Sequence, residues 1–297
     1  MVYLQTKLRS WINPEKLNLS SLNLNSNAFI FLQENPLFID SNYLPFNPNS
    51  YYIYLNYPID INWDLVSYYS NNIDFLKNNI NKINWEKISA NPCAIDIIKN
   101  NLDKIEWNYL SKNSNAINII ENNLDKINWN MLSQNANAMH IIRKNVNNID
   151  WWYLSENPNA INVLKSNPEK INWCILSINP NAIKLLEANP DKINWDLLST
   201  NPNAIKLLEN NKDKIDWDRL SKNPNAIHLL EENQDKIYWY NLSKNPSIFT
   251  YDYELIKEKN KKLNEEIIEK ALHPKKMLKL MQEYGEEYVY FTYFDEE

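Results

Sequence analysis

Residues 195–216 read Trp-Asp-Leu-Leu-Ser-Thr-Asn-Pro-Asn-Ala-Ile-Lys-Leu-Leu-Glu-Asn-Asn-Lys-Asp-Lys-Ile-Asp. The stretch recurs without insertion. Trp63, Trp85, Trp107, Trp129, Trp151, Trp173, Trp195, Trp217 and Trp239 are each 22 residues apart. Upstream, Asn25-Ser26-Asn27-Ala28 and Asn47-Pro48-Asn49-Ser50 stay in phase, with Leu19 and Ser41 in the tryptophan position. That makes eleven repeats from about Glu15 to Ser247, the first two of them worn.

With tryptophan as position 1, position 21 is Ile before all nine tryptophans, and position 22 is mostly Asn or Asp. Position 4 is aliphatic, position 5 is Ser, position 7 is mostly Asn, and position 8 is often Pro. Positions 10, 11, 13 and 14 are apolar, and position 17 is Asn in eight successive repeats, Asn79 to Asn233.

Two short helices follow from this pattern. The first opens at the Asn or Asp of position 22, whose side chain accepts from free first-turn amides. Ile at position 21 and the aliphatic residue at position 4 have hydrophobic-staple spacing. The second opens at Asn in position 7 with Pro next, where a missing N–H costs nothing. Its apolar positions form one stripe. Asn at position 17 is then expected to take the left-handed conformation that ends many helices.

Such a repeat buries its apolar face only by stacking on neighbours. The expected fold is all-α: a right-handed α-solenoid of about eleven 22-residue helix-turn-helix repeats with a C-terminal helical cap. At helix spacings of about 8–10 Å it extends roughly 100 Å before superhelical curvature. The expected organisation is an N-terminal cap segment 1–14, a solenoid 15–247, capping helices 248–283 over the apolar end of the stack, and an acidic aromatic tail 284–297. A leucine-rich repeat is rejected because the position-8 proline and two cap signals break a strand-plus-turn reading. The Phe-Asn and Ile-Pro signatures of FNIP-type repeats do not recur.

Composition excludes further classes. Of 297 residues, 53 are Asn and one is Gly, Gly285. Dinucleotide turns, P-loops, kinase glycine loops and nucleophile elbows need glycine where backbone meets phosphate or turns sharply. Net charge is −6. Residues 283–297 hold six acids and no Lys or Arg, so the rest of the chain is neutral. A neutral surface argues against strong binding of nucleic acid or anionic membrane. No apolar run approaches the ~20 residues that span a bilayer. Met1 to Ser10 lacks an apolar signal region, so secretion is not expected. Cys93 and Cys174 occupy different repeat positions, which suits reduced thiols.

The run Asn223-Pro-Asn-Ala-Ile-His-Leu-Leu-Glu231, followed by Asp235-Lys-Ile-Tyr-Trp239, resembles a family of Asn-rich repeat proteins of giant nucleocytoplasmic DNA viruses, mimivirus-like and algal. The resemblance covers about 15–283. It extends to Phe249-Thr-Tyr-Asp-Tyr-Glu254 and to Leu272-His-Pro-Lys-Lys276, where Lys276 stands in place of an Arg frequent in the family. It implies a viral protein acting in the host cytoplasm, or carried in the virion, and implies no activity.

No residue set suggests catalysis, a cofactor, a metal site or a small-molecule substrate. His140 and His228 share position 12, four repeats apart, and are expected on an exposed helix face; His273 beside Pro274 is expected to be structural. The tryptophan column is expected in the core, and the Asn columns as caps rather than base readers. Positions 2, 3, 6, 12, 15 and 16 vary and are expected on outer faces. Trp152 and Tyr240, both at position 2, are candidate partner contacts because exposed aromatics are enriched at hot spots. Tyr288, Tyr290, Phe291, Tyr293 and Phe294 in the tail are the others, as a docking motif or a fold-back cap. The expected function is a non-enzymatic repeat scaffold for protein–protein interaction in the infected host cell. The alternatives are a structural or packaged virion component, and a helical-repeat nucleic-acid binder.

Overall fold

The structure, a computed structural model, describes residues 6–47, 50–54 and 60–285. It divides into two compact bodies, Leu8–Phe249 and a smaller one of Met1–Lys7 with Thr250–Glu297. The fold is a helical-repeat solenoid. The strands described are two, Thr6–Leu8 and Phe249–Tyr251, which pair with each other.

Within the larger body most of the clear repeats begin as their sequence predicts, the exception being Trp239–Leu242, where Tyr238 makes no side-chain cap bond. Asn194 caps the helix Trp195–Leu198, its side chain accepting from the amide of Leu197 at 2.8 Å. Asp216 does the same for Trp217–Leu220 through the amide of Arg219 at 2.9 Å. The second helix starts later than expected. Asn223 caps a 3-10 turn, Pro224–Ala226, that leads into the helix Ile227–Glu232. A second 3-10 turn, such as Pro190–Lys192, fills positions 18–20.

The left-handed asparagine at position 17 is not there. Asn167, Asn189, Asn211 and Asn233 have φ between −139° and −131°. Each ends its helix with its side chain instead. The Asn211 amide group donates to the carbonyl of Leu207, four residues back, at 2.9 Å, and Asn189 does so to Leu185 at 2.9 Å. The side chain satisfies an orphan carbonyl that a left-handed residue would satisfy through its backbone. Among the described residues only Gly285 has positive φ, at 89°, where it closes the helix Pro274–Tyr284.

The core holds Leu at position 4, Ala at position 10 and Leu or Ile at position 14. Leu198, Ala204 and Leu208 are fully buried. The tryptophans are a correction: all nine are half-buried rather than core. Most lie under a lysine 19 residues ahead, as Lys192 over Trp173 at 4.3 Å and Lys214 over Trp195 at 4.5 Å. The indole covers the rim of the core and offers one face to a cation.

Side-chain ladders join repeat to repeat. Ten asparagines at position 7 are buried. Asn179 donates to the carbonyls of Ser155 and Asn157 at 3.0 and 2.9 Å, and accepts from the amide of Asn181 at 3.0 Å. Both amide hydrogens and the oxygen are thereby used, as burial requires. Ser177 takes the amide of Asn194, the cap of the next repeat's first helix, at 3.0 Å, and donates to the carbonyl of Trp173 at 3.0 Å. A third column, at position 9, runs from Asn203 to the carbonyl of Pro180 at 3.0 Å.

The ladders continue from the last repeat into the first. Asn25 donates to the carbonyls of Ser243 and Asn245 at 3.0 and 2.8 Å, and Asn27 to that of Pro246 at 3.0 Å. Lys16 lies over Trp239 at 5.2 Å, as each position-20 lysine lies over its own tryptophan. Residues 13–18, Asn-Pro-Glu-Lys-Leu-Asn, match 167–172, Asn-Pro-Glu-Lys-Ile-Asn. They complete the final repeat from the other end of the chain. The array of this body is therefore closed, not the open stack the sequence suggested. A full turn shared among eleven repeats is about 33° each. The end that seemed to need a helical cap is met by the first repeat.

In the smaller body Asp252 caps the helix Tyr253–Ala271 and pairs with Lys7 at 3.2 Å. His273 is structural, as expected: its Nδ1 accepts from the amide of Lys275 at 3.3 Å, with Pro274 in the first turn of the last helix.

Candidate partner-binding surface

Repeats that follow a closed curve are closer together on its inner side. Successive repeats approach most closely through their first helices: Trp63–Tyr69 packs on Trp85–Ser89, which packs on Trp107–Ser111. The first helices therefore line the inside and the second helices the outside.

This placement sorts the variable positions. Position 2 is exposed throughout the clear repeats, as expected. Positions 3 and 6, expected on outer faces, are mostly half-buried on the inner wall. Crowding there lets side chains reach beyond their neighbours. Lys112 Nζ donates to Tyr68 Oη at 2.7 Å across two repeats, and lies between the Tyr68 and Tyr109 rings at 4.9 and 5.5 Å. Lys87 Nζ donates to Glu86 at 2.7 Å and to Tyr109 Oη at 3.1 Å. These bonds hold Lys87 above the usual lysine range and the Glu86 carboxyl below its own. Sequence reading missed this tyrosine–lysine group because its hydrogen-bonded pairs, Lys87–Tyr109 and Lys112–Tyr68, lie 22 and 44 residues apart in two columns that looked merely variable.

Trp152 and Tyr240 are exposed, at 45% and 40%. The structure does not bring them together, since they stand four repeats apart. Trp152 meets Tyr153 edge-on at 4.7 Å. Tyr240 stands 6.0 Å from Tyr238 and carries Lys244 Nζ over its ring at 3.9 Å. The Lys244 ammonium pulls the Tyr240 hydroxyl below the usual tyrosine range. Tyr288, Tyr290, Phe291, Tyr293 and Phe294 lie outside the described residues.

On the outer wall, position 12 is exposed. His140 pairs with Glu121, and His228 with Glu209 at 2.9 Å, each in the preceding repeat. Cys93 and Cys174 are free and exposed. Among the described residues no group of three or more His, Cys, Asp or Glu is placed to hold a metal ion. No described helix is long and apolar enough to cross a membrane.

No family model, no curated protein and no solved structure matches this chain.

Proposed function

We propose that the protein is a non-enzymatic interaction scaffold that holds a protein partner in the host cell of a giant virus of the kind its repeats resemble. One observation carries this reading: a division of labour among repeat positions. The recurring residues, Asn at 7, Ser at 5 and Leu at 4, are spent on the ladders and the core. The residues that change, above all position 2, face solvent on the same rigid frame. A frame that orders its side chains before binding loses less entropy on association. Trp152 with Tyr153, and Tyr240 with Tyr238, supply aromatic pairs of the sort that anchor interfaces.

Affinity purification of the tagged full chain from infected cells tests the reading. A host protein is expected, with capture weakened by Trp152→Ala or Tyr240→Ala. Recovery of capsid or core proteins alone, with the chain abundant in purified particles, would establish a virion component instead. Tight, salt-sensitive RNA binding would establish a nucleic-acid binder.

A further inference from the structure

The outer wall is not uniform. A groove of about 510 Å³ opens between the repeats of Trp129 and Trp151, lined by Arg143, Val146, Asn162, Val163, Ser166 and Asn167. The side chains of the later repeat that line it are short. Position 12 of the later repeat is Asn162, where the following repeats have Lys184, Lys206 and His228. Position 16 is Ser166, where the next repeat has Ala188 and others carry Asn210 or Glu232. Val146 is exposed, as are its position-18 counterparts Ile80, Leu102 and Leu124, and here it lies beside the buried Val163.

The charge around this groove is also unlike that of its neighbours. Positions 19 and 20 carry an acid and a lysine in repeats such as Asp191-Lys192 and Asp213-Lys214. Here they are Asn147 and Asn148. No carboxylate of that turn offsets Arg143, Lys144 and Lys165, which are exposed and lie in none of the ion pairs among the described residues. The next turn adds one acid, Glu169, and one lysine, Lys170, which sits over Trp151 at 6.0 Å. Trp129 has Asn148 where its counterparts have a covering lysine.

We infer that this groove docks an acidic peptide segment of a protein partner, with an aliphatic or aromatic side chain between its carboxylates. The apolar residue covers Val146 and Val163, and the flanking carboxylates face Arg143 and Lys165. Charge complementarity selects the peptide, and the apolar floor favours it over a phosphate backbone, which brings no side chain to bury. The assignment rests on the scaffold reading and names one of its surfaces.

Selection of 12-residue peptides displayed on phage against the full chain is the test, with the Ser166→Trp protein as the depletion target. Enrichment of acidic sequences around an apolar residue is expected. Fluorescence polarisation of a recovered peptide should show affinity that falls with salt and drops on the order of tenfold in the Arg143→Glu/Lys165→Glu double variant. That variant changes exposed residues only, so it separates loss of the groove from loss of fold. Lys206→Glu, two junctions along, should leave binding unchanged. No enrichment, or peptides that bind the Ser166→Trp protein equally, overturns the assignment. So does tighter binding of a single-stranded RNA 12-mer than of any peptide. A cellular partner whose capture survives both groove variants would overturn the groove and leave the scaffold reading standing.

Discussion

The backbone N–H of Asn18 donates to the hydroxyl oxygen of Ser243, 2.8 Å away and 225 residues along the chain. It is the bond that Asn194 makes to Ser177, 17 residues back. The seam of the array is thus chemically the same as any internal junction. Hydrogen exchange checks this. The Asn18 amide is expected to be protected to the same degree as those of Asn84 and Asn194. Fast exchange at Asn18 alone would mean that the array stands open.

The ladder asparagines should be costly to remove. Asn179→Ala removes the side-chain partner of the Ser155 carbonyl and of the Asn181 amide, and one of the two donors to the Asn157 carbonyl, which keeps the Ala160 amide. A loss of about 2–4 kcal/mol is expected in urea denaturation. Asn179→Asp should cost at least as much, because a carboxylate has no hydrogen to offer two carbonyl oxygens. An unchanged midpoint for either variant contradicts the ladder.

Position 17 separates two ideas of how the helix ends. If Asn211 were left-handed, Asn211→Gly would be neutral or stabilising. With φ at −138° and a side-chain bond to Leu207, the same change removes a cap and gains only chain entropy in the unfolded state. A destabilisation of about 1–2 kcal/mol is expected, again by denaturation.

The tryptophan rim should matter less than the leucine core. Leu198→Ala is expected to cost about 2–5 kcal/mol through a buried cavity. Trp195→Ala, at a half-buried site, should cost about 1–3 kcal/mol. Lys214→Ala, which uncovers the Trp195 face, should cost about 0.5–1 kcal/mol. Reversal of the first two would return tryptophan to the core.

Asp252 gives a pH dependence to the smaller body. The Leu255 amide, and then Lys7, hold its carboxyl below the usual aspartate range. A carboxyl depressed in the folded state stabilises above its unfolded pKa and stops doing so as pH falls through the folded one. The helix Tyr253–Ala271 is therefore expected to loosen in acid, below the ordinary aspartate titration. Asp252→Asn, which keeps a capping oxygen, should flatten that dependence. A carboxyl titration of Asp252 by NMR at the unperturbed aspartate value would count against it.

Much of the repeat was legible because its signals are local. The cap at Asn194, the proline at position 8 and the apolar stripe each act within one or two turns of chain. Position 17 misled because asparagine serves a helix end in two ways, and spacing does not distinguish a left-handed backbone from a side-chain bond. The outer groove was not legible. It is lined by Arg143 and Val146 of one repeat and by Asn162, Val163 and Ser166 of the next, a set that comes together only once two repeats are placed side by side.

The sequence by itself determined the 22-residue unit, its first-helix caps and its buried columns at positions 4, 10 and 14. Only the tertiary structure decided that the array closes, that residues 13–18 finish the last repeat, and that tryptophan sits at the rim. The reason is that curvature belongs to no single residue. It is a small rotation per repeat, set by how wide the inner and outer side chains hold successive helices apart. Only its sum over eleven repeats brings Asn18 to Ser243.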